Sequence, residues 1–191
     1  QPWQNIPAER LCRRCKKEDE TLAHMLVCCL SMSPYWRCRH DTIVFLLEQQ
    51  LRLHTDAIVY TNQECQFVKS PLRVDLQVHF PNWRWKTKSA RIVLIDVKCP
   101  FNNEFNLKTQ DENNIDKYKP LRDAIAAAHP NTHVSLYTFV VGTLGSWYVK
   151  NADPLAAVSL SKHLNFIAVQ SAYYNIKWSS HFREPHLNVA P

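Results

Sequence analysis

The sequence predicts an α/β (α+β) fold, a mixed β-sheet flanked by helices, with a small Cys- and His-rich module ahead of it. Three observations carry this expectation. Residues 1–33 hold four of the seven cysteines around His24, residues 73–80 and 91–98 have the pattern of strands, and residues 34–52 and 103–129 that of helices. With 191 residues at 46% hydrophobic content, the chain can bury one sizeable core plus a small appended module, which excludes two full domains. The expected division is 1–33 for the module and 34–191 for the core.

The elements follow in chain order. Cys12-Arg13-Arg14-Cys15 forms a tight turn, and Glu18, Asp19 and Glu20 precede an apolar run containing His24. Acids in that position favour a helix N-terminus, whose dipole presents positive charge. Ser33-Pro34 supplies an N-cap and a first-turn proline, and Ile43, Leu46, Leu47 and Leu51 continue the helix to about Arg52. A loop-like stretch comes next. From Arg73 to Phe80 the sequence alternates, with Val74, Leu76, Val78 and Phe80 on one side and Arg73, Asp75, Gln77 and His79 on the other, the signature of a half-buried strand. Pro81 interrupts it. Arg91 to Lys98 is almost continuously apolar, as a central strand is, and Pro100 ends it. Asn103 to Lys119 is predicted as a polar helix, Pro120 to His129 as a second helix opened by its proline, and Thr132 to Val141 as a third strand. Helical periodicity returns from Asp153 to Phe182.

Composition narrows the function classes. Lys and Arg number 23 against 17 Asp and Glu, a net charge of +6 that favours polyanionic partners, nucleic acid first. Gly142 and Gly145 are the only glycines, so neither a dinucleotide-binding glycine turn nor a Walker phosphate loop can be built. No run approaches the ~18 apolar residues that a membrane helix needs, so no membrane partner is expected. The chain opens on Gln1 without an apolar signal region and is expected to be a segment of a longer one. An odd cysteine set clustered around a histidine suits a metal site in a reducing compartment, nucleus or cytosol, better than disulfides. Cys38, Cys65 and Cys99 are expected to be ordinary buried thiols.

Two constellations carry chemistry. Cys12-x2-Cys15-x8-His24, with a fourth thiolate at Cys28 or Cys29, has the donor set and spacing of a closed structural zinc site. Helical geometry puts Cys28 on the face of His24, whereas Cys29 at i+5 requires the last turn to loosen. The second constellation is acidic. A hairpin closing symmetrically on Trp85 and Lys86 sets Asp75 opposite Asp96, and strand alternation puts Asp96 and Lys98 on one face. Two carboxylates and an ammonium at one patch can hold Mg²⁺ or Mn²⁺ and stabilise charge on a phosphodiester under attack. Glu48 is a helix-surface glutamate that can add a third carboxylate. Trp83, Arg84, Trp85, Lys86 and Lys88 combine cations with aromatic faces suited to phosphates and unstacked bases, and Arg13, Arg14, Lys16 and Lys17 form a second basic patch.

The Cys12 to His24 segment, Arg39-His40, Arg73-Val74-Asp75-Leu76, Ile95-Asp96-Val97-Lys98-Cys99-Pro100-Phe101, Lys117-Tyr118-Lys119-Pro120-Leu121 and Gly142 to Trp147 occur in that order. Together they resemble the C-terminal restriction-like endonuclease region of site-specific non-LTR retrotransposon polyproteins, across Cys12 to about Phe182. The resemblance implies a CCHC zinc knuckle beside a PD-(D/E)xK core that nicks double-stranded target DNA, leaving 5′-phosphate and 3′-hydroxyl ends, in the nucleus. The attached reverse transcriptase would prime on that end with element RNA as template, and upstream DNA-binding domains of the polyprotein would be partners. It selects Cys29 as the fourth zinc ligand, and makes Asp75 and Asp96 the Mg²⁺ ligands and Lys98 the catalytic amine. Lys117 and Tyr118 would act near the scissile phosphate. Arg39 and His40 match a family pair expected in DNA contact or helix packing. Val74 departs from the family, which usually has proline before the first aspartate.

Overall fold

The computed structural model describes residues 10–81 and 90–188. After the Cys/His module come helix α1 (Ser33–His54), strands β1 (Ile58–Thr61), β2 (Leu76–Phe80) and β3 (Ala90–Lys98), helix α2 (Glu104–Ala128), strand β4 (Thr132–Val140) and helices α3 (Ala152–Ala157), α4 (Leu164–His181) and α5 (Arg183–Leu187). The four strands form one mixed sheet in the order β1-β2-β3-β4, antiparallel except for the parallel β3–β4 pair. The fold is thus a mixed sheet flanked by helices.

β3 is buried on both faces, which explains its unbroken apolar run. Val93, Ile95 and Val97 pack with Ile43, Leu47 and Leu51 of α1 and Ile167 of α4. Ile92 and Leu94 pack on the other face with Tyr118, Leu121 and Ile125 of α2 and Leu136 of β4. Asp96 and Lys98 continue the α2 side by the same alternation.

Four features differ from expectation. β1 lies inside the stretch taken for a loop; four residues are too few to show a period. The alternation of residues 73–80 breaks at Asp75, because Val74 packs with the α2-side core while Leu76 and Val78 join the α1 side. The polar side of β2 is also covered: Gln77 is buried, accepting from Gln66 N and donating to the carbonyls of Gln63 and Glu64. Finally, α2 runs through Pro120 as one helix, capped by Asn103, whose side chain accepts from Asn106 N at 2.7 Å. Pro120 and Asp116 are both exposed, so the carbonyl deprived of its helical donor has access to water. Tyr118 and Leu121 on either side anchor the helix to the sheet.

Candidate metal centre and carboxylate patch

Cys12, Cys15, His24 and Cys29 bring one ligand atom each to within 4.8 Å of one another, a cluster that can hold a metal such as zinc. The local backbone explains the choice of Cys29. His24–Cys28 is a π-helical turn, and Cys29 N donates to His24 O at 2.7 Å. This wider turn brings position i+5 onto the ligand face and leaves Cys28 exposed. Cys12 and Cys29 sulfurs are 3.7 Å apart, and Cys15 Sγ is 3.3 Å from His24 Nε2. Glu18 Oε2 holds His24 Nδ1 at 2.9 Å, fixing the ring so that Nε2 faces the sulfurs. At Lys16 the turn passes through the left-handed region, φ 54°, and Lys16 N donates to Cys12 O at 2.8 Å.

The electrostatics favour a cation. Burial opposes ionisation of Cys15, yet the N–H groups of Lys17 and Glu18 together with His24 and Cys12 bring its thiol down to about 7. Burial, then Cys12, push Cys29 up to about 11. Cys29 in particular would need a positive ion beside it to be held as a thiolate. The acids expected to start a helix serve other ends here: besides Glu18 on His24, Asp19 pairs with Arg10 and Glu20 holds Arg13. Arg13 is thereby committed, while Lys16 and Lys17 are exposed.

The carboxylate patch forms at the end of β2 and β3. The observed register ends with Leu76 opposite Ile95, and just past it the side chain of Asp75 turns onto β3 next to Asp96. Asp75 Oδ2 accepts from Val97 N at 2.6 Å and from His40 Nε2 at 3.1 Å. Asp96 is 2% exposed and ion-paired with Lys98. Burial, then the charge of Asp75, raise the Asp96 pKa, and Lys98 draws it back. The two acids thus sense each other across a partly buried patch, where a hard cation with oxygen ligands would relieve their repulsion.

The neighbours divide into those at the patch and those withdrawn from it. Tyr118 is buried, and its hydroxyl donates to Arg73 O at 2.7 Å while accepting from Lys117 Nζ at 2.9 Å. The phenol thus fixes the segment leading to Asp75, and it also lies against Asp96, whose charge adds to burial in raising the phenol's pKa. Lys117 is exposed with its ammonium 4.4 Å from the Tyr118 ring, open to an anion. Of the two expectations for Arg39, the structure shows packing: it is 2% exposed, donates to Leu26 O at 3.0 Å and sits over the Phe182 ring. His40, partly exposed, turns its Nε2 to Asp75 and its Nδ1 to Asp41. Glu48 binds Arg52 at 2.8 Å, and Arg52 in turn donates to Val59 O. Cys38 is exposed, contrary to expectation, while Cys65 and Cys99 are partly buried against the two core layers. Trp83, Arg84, Trp85, Lys86 and Lys88 lie outside the described residues. Among the described residues no helix is long and apolar enough to cross a membrane.

His40 is the residue whose place sequence reasoning left open. It is seven positions after Ser33 on the polar face of α1, and the available signal was its own polarity beside Asp41 on a helix preceding the acidic strands. No known protein-family model matches the chain, and no curated protein is significantly similar to it.

Proposed function

We propose that the chain is a metal-dependent DNA endonuclease domain of the restriction-like PD-(D/E)xK plan, stabilised by zinc at Cys12, Cys15, His24 and Cys29. The observation that carries this reading is the meeting of Asp75, Asp96 and Lys98 at one end of the β2–β3 pair. The α-β-β-β-α-β order from α1 to β4, antiparallel and then parallel, agrees with that plan. The net charge of +6 agrees with a DNA partner.

Asp75 and Asp96 would hold Mg²⁺ or Mn²⁺, which supplies charge neutralisation at the phosphate and a more acidic water. In the reaction, water oxygen bonds to phosphorus, the bond from phosphorus to the 3′ oxygen breaks, and that oxygen takes up a proton. The products are a 5′-phosphate and a 3′-hydroxyl. Lys98, partly exposed beside Asp96, carries a positive charge to the pentacoordinate phosphorus and steers the water. Lys117 meets a neighbouring phosphate, and Tyr118 keeps the Asp75 segment in register through Arg73 O. The 3′-hydroxyl is the end from which a reverse transcriptase of the same polyprotein would copy element RNA in the nucleus, with target choice in upstream DNA-binding domains.

The test is nicking of supercoiled plasmid in Mg²⁺ or Mn²⁺. Asp96→Asn should reduce the rate by at least about 100-fold with DNA binding unchanged, and nicks made by the unmodified chain should be extended by a polymerase without prior phosphatase treatment. Equal residual nicking by both proteins would remove the enzyme. A second reading, a nucleic-acid-binding module of the same fold that has lost cleavage, is favoured by one observation: Asp75 is already held by Val97 and His40 while Lys98 neutralises Asp96. It expects salt-sensitive DNA or RNA binding with no metal-dependent nicking at all.

A further inference from the structure

The C-terminal helix turns a buried imidazole toward the metal cluster. His186 of α5 is 3% exposed, and neither ring nitrogen has a well-formed hydrogen bond. Leaving a buried polar group unmet is costly, so a ring held this way needs a partner. What it faces is informative. Its Nε2 is 3.3 Å from Glu20 Oε2, and a ring nitrogen, a Glu20 oxygen and Cys12 Sγ lie within 4.8 Å of one another.

The frame around this ring is fixed on both sides. Glu20 Oε2 accepts from Arg13 N at 2.7 Å and Oε1 from Arg13 Nη2 at 2.6 Å, so the carboxylate is locked next to Cys12. On the other side Phe182, fully buried, packs with Cys12, Leu26, Cys29 and Met32, and His186 N donates to Phe182 O at 3.1 Å. The remaining donor residues of the cluster each have an outer partner: Cys15 has the N–H groups of Lys17 and Glu18, Cys29 that of Ser31, and His24 has Glu18. Three thiolates and one neutral imidazole leave a Zn²⁺ centre net negative, and N–H donors to sulfur disperse that charge.

We infer that His186 is a fifth residue of the metal centre, an outer donor whose ring N–H binds the Cys12 thiolate when the cluster holds zinc and so ties the C-terminal helix to the N-terminal module. It is not an inner ligand, since Cys12, Cys15, His24 and Cys29 already offer the four donors that a closed zinc site would take. The inference rests on that cluster binding metal and is independent of cleavage.

Its test uses the full 191-residue chain. His186→Phe keeps an aromatic ring in the buried position and removes both nitrogens. Zinc affinity, measured by competition with a chromogenic chelator, should weaken roughly 10–100-fold. The Co²⁺-substituted proteins should show the same tetrahedral ligand-field bands, marking an unchanged set of inner ligands, with the thiolate charge-transfer band shifted to lower energy in the variant. In the unmodified chain, which needs no variant to fold, chelating zinc should speed hydrogen exchange of the amides of residues 183–187 by at least about tenfold. Equal zinc affinity in the variant, altered tetrahedral ligand-field bands, or zinc-independent exchange in α5 would each overturn the inference while leaving the cluster as a metal site. A chain that takes up no zinc overturns both.

Discussion

At the scale of single residues, His40 is the group whose charge the carboxylate patch sustains. Its ring donates to Asp41 at 3.0 Å and to Asp75 at 3.1 Å; burial opposes its charge, but Asp75 and then Asp41 hold its pKa up to about 9. In the unfolded chain it titrates near 6.5. The pair therefore contributes fully below about pH 6.5, and its contribution is lost as pH rises through about 9. In the absence of divalent cations, the stability of the unmodified chain should fall by on the order of 2–3 kcal/mol more than that of His40→Gln between about pH 6 and pH 10, measured by urea denaturation. Parallel pH profiles would contradict the pairing. Lys16 offers a second test, because its positive φ suits glycine and the sequence has only two glycines, both elsewhere. Lys16→Gly should raise the stability of the zinc-loaded chain by up to about 1 kcal/mol.

At the scale of elements, the legible parts of the fold were those with a long period or a charge placed against it. β3 declared itself by an apolar run broken only by Asp96, and the Asp75–Asp96 juxtaposition was legible because a symmetric hairpin has a single register. β1 has too few residues to show alternation, and the cover over Gln77 comes from a loop whose pairing is entirely tertiary. The π-helical turn was invisible for a different reason: residue spacing alone gives i+4 a slight advantage, both candidates are cysteines, and only the family resemblance pointed to i+5. It follows that Cys29→Ser should weaken zinc binding by more than the roughly 10–100-fold of outer-shell losses, whereas Cys28→Ser should leave it unchanged. Pro120 misled in the opposite direction, since proline opens helices more often than it continues them. Because Pro120 is exposed within a continuous helix, Pro120→Ala should restore a backbone donor and raise stability by about 1–2 kcal/mol, after the entropy that proline removes from the unfolded chain is offset. A thermal midpoint that falls instead would mean that α2 needs the break.

At the scale of the whole molecule, the N-terminal module and the sheet are joined through two adjacent residues of α1. Arg39 reaches the module at Leu26 O and the C-terminal helices at Phe182 and Ser179, while His40, next in sequence, reaches Asp75 at the sheet. The apolar interior of the module is equally shared: Cys12, Leu26, Cys29 and Met32 pack with Phe182, and Tyr35, Trp36 and Phe101 close around them. A module built this way has little core of its own, and removing its metal leaves buried sulfurs without their cation inside an interface that α1 and the C-terminal helices also need. Zinc removal should accordingly lower the stability of the entire chain instead of melting residues 1–33 alone. Calorimetry should show one transition in both states, with the midpoint lower after chelation, and far-UV and near-UV signals should move together. Two separate transitions, the upper one insensitive to zinc, would show that the sheet and its helices stand without the module and that the boundary near Ser33 divides independent folding units.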